Sequence, residues 1–345
     1  MENNSYTFNF KSALTTLIFF TAVLLLGGLA LDRFMSVGDS NSNIGKSISE
    51  NDQIYQPYDT LFIGDSRTHQ GVIPRQFTEM KQLENQDNAL AYNLGRPGMQ
   101  SPFVYFIIDD YIRTTGHIPK QVFVNFSFYL LGGQQWMKDI YFAYYTPKAW
   151  QVLDAVGQQL LTPLEGFQWY FRTRIPLVRY KKRMSDLLLG FAEKKSHAFY
   201  KELSDIDQNR YRMLQPSQYG YLSRGTSSIS DSDVKLNGYT KGIERGYSVY
   251  LYYMKKLFEL ASHLQFEIVV YDFPWPNKHM KDPLFQGIHD YYKKLIMDQA
   301  IENPYVRFPS HNFYWENKYF VDPLHLNAIG SEKLTDQILL WSSEK

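Results

Sequence analysis

Short apolar runs that alternate with helical periodicity constrain this chain more than any other feature. Thr60-Leu61-Phe62-Ile63 ends at Gly64, residues 89–94 and 121–126 form two further runs, Phe266–Phe273 reads FEIVVYDF, and Tyr305–Phe308 supplies a fifth. Each is short and largely apolar, and the first ends at a glycine, which is how a buried strand reads. Helical spacing appears from about Pro74, appears again after the Gly/Pro turn that follows the second run, up to about Arg113, and returns at Tyr247–Leu264, Phe285–Ile301 and Ala328–Trp341. Strands that alternate with helices predict an α/β fold, a parallel sheet covered by helices on both faces. Reacting groups of such sheets gather at the carboxyl ends of the strands, so chemistry is expected in the residues that follow each run.

Two stretches depart from the alternation. Roughly 115 residues separate the third and fourth runs, far more than the ~2–6 of an ordinary α/β connection, so a largely helical insertion over about residues 130–245 is expected. Its first half carries Trp136, Tyr141, Phe142, Tyr144, Tyr145, Trp150, Phe167, Trp169, Tyr170 and Phe171. These either form the core of a cap or present a platform to sugar rings or a membrane interface. The second half, Ser204–Lys241, is polar with scattered Gly and Ser and has the character of a long loop or lid.

The other stretch is Ser12–Leu31, SALTTLIFFTAVLLLGGLAL, uncharged between Lys11 and Asp32. About twenty apolar residues in a helix span the ~30 Å core of a bilayer. A cleaved signal peptide competes with this reading, because Gly28-Leu29-Ala30 offers a small-x-small cleavage site. However, Lys11 is the only basic side chain ahead of the run, and the run exceeds the usual ~7–15 residues of a signal-peptide apolar core. The expected organisation is a short N-terminal segment 1–11, a transmembrane anchor 12–31, a polar stalk 32–54 and a catalytic domain 55–345 that contains the insertion. Lys11 before the span and Arg33 after it leave the orientation nearly unspecified by the positive-inside rule.

Composition narrows the function classes. A chain of 345 residues with 44% apolar side chains can bury one substantial domain with an insertion, or two small ones. A formal net charge of +1 gives no electrostatic reason to expect a nucleic-acid partner. The chain has no cysteine, which excludes disulfides, thiol catalysis and cysteine-based metal sites. No HExxH, P-loop or EF-hand pattern occurs, so neither a metal nor a nucleotide cofactor is expected.

Three local patterns carry candidate chemistry. Ser66, in Gly64-Asp65-Ser66-Arg67, follows directly on a predicted strand. A serine there can expose its hydroxyl and use neighbouring backbone N–H groups as an oxyanion hole. Position 68 is Thr, so this is not the Gly-x-Ser-x-Gly elbow, and Gly-Asp-Ser alone is weak evidence that reads first as an ordinary turn or helix cap. Asp322-Pro323-Leu324-His325-Leu326-Asn327 precedes the last predicted helix. Its Asp-x-x-His spacing lets a carboxylate hold one imidazole nitrogen while the other faces a substrate, the arrangement a general-base histidine needs. Asn93-Leu94-Gly95-Arg96-Pro97-Gly98, at the end of the second run, makes a tight turn whose N–H groups can point into a cleft.

The three blocks in this order resemble the SGNH (GDSL) hydrolase superfamily, over about residues 58–130 and 265–342. The text GDSRTHQGVIP and DPLHLNAIGSEKL is similar to the membrane-anchored bacterial branch that includes DltD and the alginate O-acetylation proteins. The resemblance implies a flavodoxin-like parallel sheet, with Ser66 as nucleophile, His325 as base and Asp322 as the acid that orients it. It implies oxyanion donors from the backbones of Ser66 and Gly98. It further implies a cytoplasmic N-terminus, a catalytic domain outside the bacterial cytoplasmic (inner) membrane, and an MBOAT-type membrane acyltransferase as a partner that delivers the acyl group. One block departs from the pattern. Where the superfamily has Gly-x-Asn-Asp, the third strand reads Val122-Phe123-Val124-Asn125-Phe126-Ser127. Asn125 and Ser127 are the two candidates for the third oxyanion donor.

Arg67 either holds an anionic substrate group or pairs with a carboxylate of the fold. His69 is expected at the surface or behind the reacting groups, because Asp322 and His325 already account for the base. The run Arg172, Arg174, Arg179, Lys181, Lys182 and Arg183 is either a solvated helix face or a contact for anionic lipid or polysaccharide. The expected activity is that of an extracytoplasmic serine O-acyltransferase or esterase. It would act on acyl groups, O-acetyl above all, of a cell-surface polysaccharide or cell-wall glycan. The rival from another class is a non-catalytic module that binds glycan or a partner protein, with the three residues as a relic.

Overall fold

A computed structural model describes residue 26 and residues 56–84, 89–95, 99, 101–126, 147–159, 161–172, 175, 221, 223–234, 247–310 and 313–344. The strands in chain order are β1 (Thr60–Ile63), β2 (Ala91–Asn93), β3 (Gln121–Phe126), β4 (Glu267–Asp272), β5 (Trp275–Pro276), β6 (Val306–Arg307), β7 (Tyr314–Trp315), β8 (Phe320–Asp322) and β9 (His325–Leu326). Five of them form one sheet in the order β2-β1-β3-β4-β6, and every pairing is parallel. This is the doubly wound order of flavodoxin-type sheets. The other four make two small accessory sheets, a parallel β5–β7 pair and an antiparallel β8–β9 pair.

The helices are α1 (Ser66–Gly71), α2 (Pro74–Leu83), α3 (Ser101–Thr115), α4 (Ala149–Gly157), α5 (Pro163–Arg172), α6 (Tyr247–Leu264), α7 (Pro283–Ala300) and α8 (Ala328–Ser343). Successive side chains of a strand point to opposite faces, and the sheet accordingly divides two cores. Leu61, Ile63, Val122, Val124, Ile268 and Val270 pack with Phe106 and Ile107 of α3, Leu257 of α6 and Ile296 of α7. On the opposite face Phe62, Phe123, Val269 and Tyr271 pack with Phe77 of α2 and with Leu334, Ile338 and Trp341 of α8. Strands buried on both faces must be apolar throughout rather than alternating, and this is why they stood out as continuous runs.

The parallel sheet agrees with the expectation. The fifth run forms a shorter strand than predicted, Val306–Arg307, and the Asp-x-x-His block spans the turn of a hairpin, β8–β9. Within the insertion, α4 and α5 are helical, and Trp169 is buried against Phe103 and Phe106 of α3. That residue serves as core, whereas Phe167 and Phe171 stack on each other and are exposed. The segment 223–234 is irregular apart from one 3-10 turn at Asp231–Asp233. The remainder of the insertion, including Trp136 to Tyr145 and the basic run beyond Arg172, lies outside the described residues, as do the stretch 12–31 apart from Leu26 and the stretch 32–54. Among the described residues no helix is long and apolar enough to cross a membrane.

Candidate active site

Ser66 owes its position to a sharp turn between β1 and α1. Ile63 ends the strand, Gly64 turns at φ +154°, and Asp65 caps the helix by accepting a hydrogen bond from the Arg67 N–H at 2.8 Å. Ser66 is thus the first residue of α1, at the carboxyl edge of the sheet. The first N–H groups of a helix have no partner within it; that of Arg67 is taken by Asp65, and Ser66 carries the one before it.

The hairpin β8–β9 brings the other two residues to the same place. Asp322 Oδ1 accepts from the backbone N–H groups of Leu324 at 2.8 Å and His325 at 3.0 Å, which closes the turn around Pro323. The same carboxylate accepts from His325 Nδ1, at 2.9 Å to Oδ1 and 2.8 Å to Oδ2. His325 Nε2, left as the acceptor, receives the Ser66 hydroxyl at 2.8 Å. A hydrogen-bonded chain therefore runs from Ser66 through His325 to Asp322 across 259 residues of sequence. Burial alone would raise the Asp322 carboxyl, but the His325 hydrogen bond and charge, the Leu324 N–H and the Arg224 guanidinium outweigh it and hold the carboxyl below its usual value. It is ionised at neutral pH, as an orienting acid must be.

The hairpin is anchored from behind. Asn327 caps α8 by accepting from the Gly330 N–H at 3.0 Å, and its amide donates to the carbonyls of Lys318 at 2.7 Å and Ser227 at 3.0 Å. Lys333 of α8 lies over the rings of Trp315 and Tyr319, at 4.3 and 4.2 Å from their centroids. Asn93 does a similar job for α1: its amide donates to the carbonyls of Thr68 and Val72, and its side-chain oxygen accepts from Gly95 N. Gly95 is required by proximity, since a Cβ there would lie 2.7 Å from the His69 nitrogen.

The remaining candidates stand as follows. Arg67 is not available to a substrate. It is 1% exposed, its Nε faces the Asp65 carboxylate at 3.3 Å, its Nη2 donates to the Phe126 carbonyl at 3.2 Å, and its guanidinium lies over the rings of Phe273 and Trp275. The reading as a partner within the fold replaces that of substrate binding, because a buried guanidinium is tolerated only when paired. His69 is buried rather than at the surface. Asn125 is buried with its carboxamide turned to the Gly64–Asp65 turn: Oδ1 accepts from the Asp65 N–H at 3.2 Å and Nδ2 donates to Asp65 Oδ1 at 3.1 Å. Gly98 and Ser127 lie outside the described residues.

Two features escaped the sequence. Arg224, from the insertion, donates through Nε to Gln70 Oε1 at 2.8 Å and places Nη1 3.6 Å from Asp322 Oδ2. Asp272, at the carboxyl end of β4, is buried and pairs with His289 at 2.9 Å and with Lys293. Neither has a local signature, since the contacts join residues far apart in the chain. Among the described residues no cluster of His, Asp and Glu could hold a metal ion.

Fold and site together define a doubly wound α/β protein with a Ser–His–Asp chain at the carboxyl edge of its sheet. No protein-family model matches the sequence, and no curated protein does. Among solved structures it is similar to an acetyl-xylooligosaccharide esterase mutant from Geobacillus stearothermophilus, at 11% identity and a TM-score of 0.40 over 83% of this chain and 94% of that one. It is also similar to a putative platelet activating factor from Streptococcus pneumonia (10% identity, TM-score 0.36, 95% and 98% coverage). A third is a GDSL-like lipase from Bacteroides thetaiotaomicron (11% identity, TM-score 0.38, 88% and 99% coverage). Likeness at this level leaves the functional argument to the geometry of the chain itself.

Proposed function

We propose that this chain is a serine esterase or O-acyltransferase of the SGNH type, working through an acyl-enzyme on Ser66. The observation that carries the reading is the continuous path from Ser66 Oγ to His325 Nε2 and from His325 Nδ1 to Asp322. In the reaction His325 Nε2 takes the Ser66 proton as Oγ bonds to the ester carbonyl carbon. The negative charge moves to the carbonyl oxygen, where the Ser66 N–H, joined by that of Gly98, stabilises it. As the oxygen re-forms its double bond the alcohol leaves with the proton from His325. The second half-reaction repeats these steps with water, giving a carboxylic acid, or with a sugar hydroxyl, giving a new ester. Asp322 keeps the imidazole in the tautomer that accepts at Nε2 and stabilises the imidazolium.

The finer reading is an O-acetyl donor and a cell-surface glycan acceptor, with the domain tethered outside the cytoplasmic membrane and an MBOAT-type partner. What supports it is the uncharged stretch Ser12–Leu31, the polar stalk and the aromatic-rich insertion. The test is labelling of the full chain with a serine-directed fluorophosphonate, beside incubation with an acetyl ester with and without oligosaccharides. Labelling of the wild type and none of Ser66→Ala is expected, with product mass separating hydrolysis from transfer. Equal labelling of the two would sink the catalytic reading and leave the non-catalytic binding module. A C-terminal reporter active only in the cytoplasm would exclude the tethered, outward-facing domain.

A further inference from the structure

Segment 223–234 of the insertion is strapped across the hairpin that carries Asp322 and His325. The Gly225 carbonyl accepts from the Ala328 N–H at 2.7 Å, and that of Ser227 from the Asn327 amide at 3.0 Å. Asp231 Oδ1 accepts from the Asn317 amide at 2.7 Å, and Lys278 Nζ donates to the carbonyls of Asp231 and Val234, each at 2.8 Å. These contacts deliver Arg224 to a particular spot. One edge of its guanidinium is held by Gln70 of α1, in the helix that Ser66 begins, and another faces Asp322 Oδ2. Gln70 is in turn fixed through its carbonyl, which accepts from Ser331 Oγ of α8 at 2.9 Å.

Asp322 Oδ1 already accepts two backbone N–H groups, and both carboxylate oxygens face His325 Nδ1. Among the described residues Arg224 is the cation beside Oδ2, and the Arg224 and Asp322 side chains are 38% and 36% exposed. A charged neighbour in a half-exposed setting acts at moderate strength, which suits a group that tunes an acid rather than one that replaces it.

We propose that Arg224 is a positioning residue for the Ser66–His325–Asp322 site: bridging Gln70 and Asp322, it fixes the carboxylate on His325 Nδ1. The proposal rests on the acyl-transfer reading of that site. The groups facing Asp322 are His325, Arg224 and the backbone N–H groups of Leu324 and His325. Loss of the Arg224 cation favours the protonated form of Asp322, and the acid limb of the pH–rate profile moves to higher pH.

The test uses the full chain in detergent and the variants Arg224→Gln and Arg224→Lys, with melting temperatures to confirm that both fold. Hydrolysis of a small neutral acetyl ester is followed against pH. For Arg224→Gln the acid limb is expected at higher pH than in the wild type. Its kcat is expected about tenfold lower with KM little changed, as for a group that acts through Asp322 rather than on the substrate. In Arg224→Lys, which keeps the cation but not the planar fork, the acid limb returns to the wild-type position while kcat recovers only in part.

A second readout needs no turnover: the strongly downfield proton resonance of the His325 Nδ1–H shared with Asp322. It is expected to be sharp in the wild type and Arg224→Lys and broadened by solvent exchange in Arg224→Gln. An unchanged acid limb, kcat and proton signal in Arg224→Gln would overturn the proposal. So would a loss confined to KM and to anionic esters, which would make Arg224 a substrate-binding group. If the wild type fails to label at Ser66, the catalytic reading falls, but the proton signal still decides whether Arg224 positions Asp322.

Discussion

At Gly64 a methyl group would lie 1.5 Å from Asn125 Oδ1 and 2.6 Å from Thr68 Oγ1, at a backbone φ of +154°. The turn that exposes Ser66 is thus locked from behind by Asn125, whose two hydrogen bonds to Asp65 stand in for a longer loop. Gly64→Ala is expected to be inactive and to lose several kcal/mol of stability, since overlap of this depth forces the backbone to move. Asn125→Ala removes the lock without overlap; about 1–3 kcal/mol of stability is expected to go, with kcat falling more than KM. Urea unfolding and ester hydrolysis of the two variants check both statements.

Asp272 offers a second case at this scale. Burial alone would push its carboxyl up, but the hydrogen bond and charge of His289 and the Lys293 ammonium bring it down to about 2. A carboxyl lower in the folded than in the unfolded chain stabilises above the unfolded value and loses that contribution as pH falls through the folded one. Asp272 therefore contributes on the order of 2 kcal/mol that is present above about pH 4 and vanishes toward pH 2. Asp272→Asn is expected to flatten the pH dependence of unfolding free energy across that window, as read by denaturant titration at several pH values. An unchanged slope would mean that the pairing is no tighter than in the unfolded chain.

At the scale of elements, the site depends on how one helix and one hairpin are fastened. Asn327 is the last residue before α8 and the first after β9, so one side chain caps the helix and ties the hairpin to Lys318 and Ser227. Asn327→Ala removes a cap worth about 1 kcal/mol and leaves the carbonyls of Lys318 and Ser227, which belong to exposed residues, without their amide donor. A loss of about 1–2 kcal/mol is expected, together with lower activity because His325 sits two residues upstream. Asn327→Asp would keep the cap yet lose the donor, so it is expected to fall between alanine and the wild type. Thermal unfolding of the three proteins gives the order. The cap was legible in DPLHLN, where an Asn stands just before helical spacing. The ties to Lys318 and Ser227 were not, since no local pattern marks a carbonyl that will meet an amide 100 residues away.

For the whole molecule the same division holds. Sheet and helices could be read because strands buried on both faces must be apolar throughout and helices covering them must repeat every three to four residues. Ser66, Asp322 and His325 could be singled out because each sits beside a strand end in a short pattern, although no spacing rule could state that Oγ and Nε2 would lie 2.8 Å apart. Arg67 was ambiguous for a physical reason: a guanidinium beside a serine looks alike in sequence whether it faces solvent or, as here, Asp65, Phe273 and Trp275. Arg224 was invisible because the strap that carries it is polar and without periodicity. Both cores, among the described residues, draw on positions from Tyr58 onward, and the first sheet strand opens at Thr60. If the domain is self-sufficient, the proposed anchor and stalk contribute tethering and nothing to its stability. A chain beginning at Tyr55 is therefore expected to be monodisperse without detergent, to melt cooperatively, and to hydrolyse a small acetyl ester with the kcat of the full chain. Transfer to a membrane-bound acceptor would fall, because the tether sets the local concentration. A truncated chain that aggregates or melts well below the full one would instead show that residues before Tyr55 cover part of the domain.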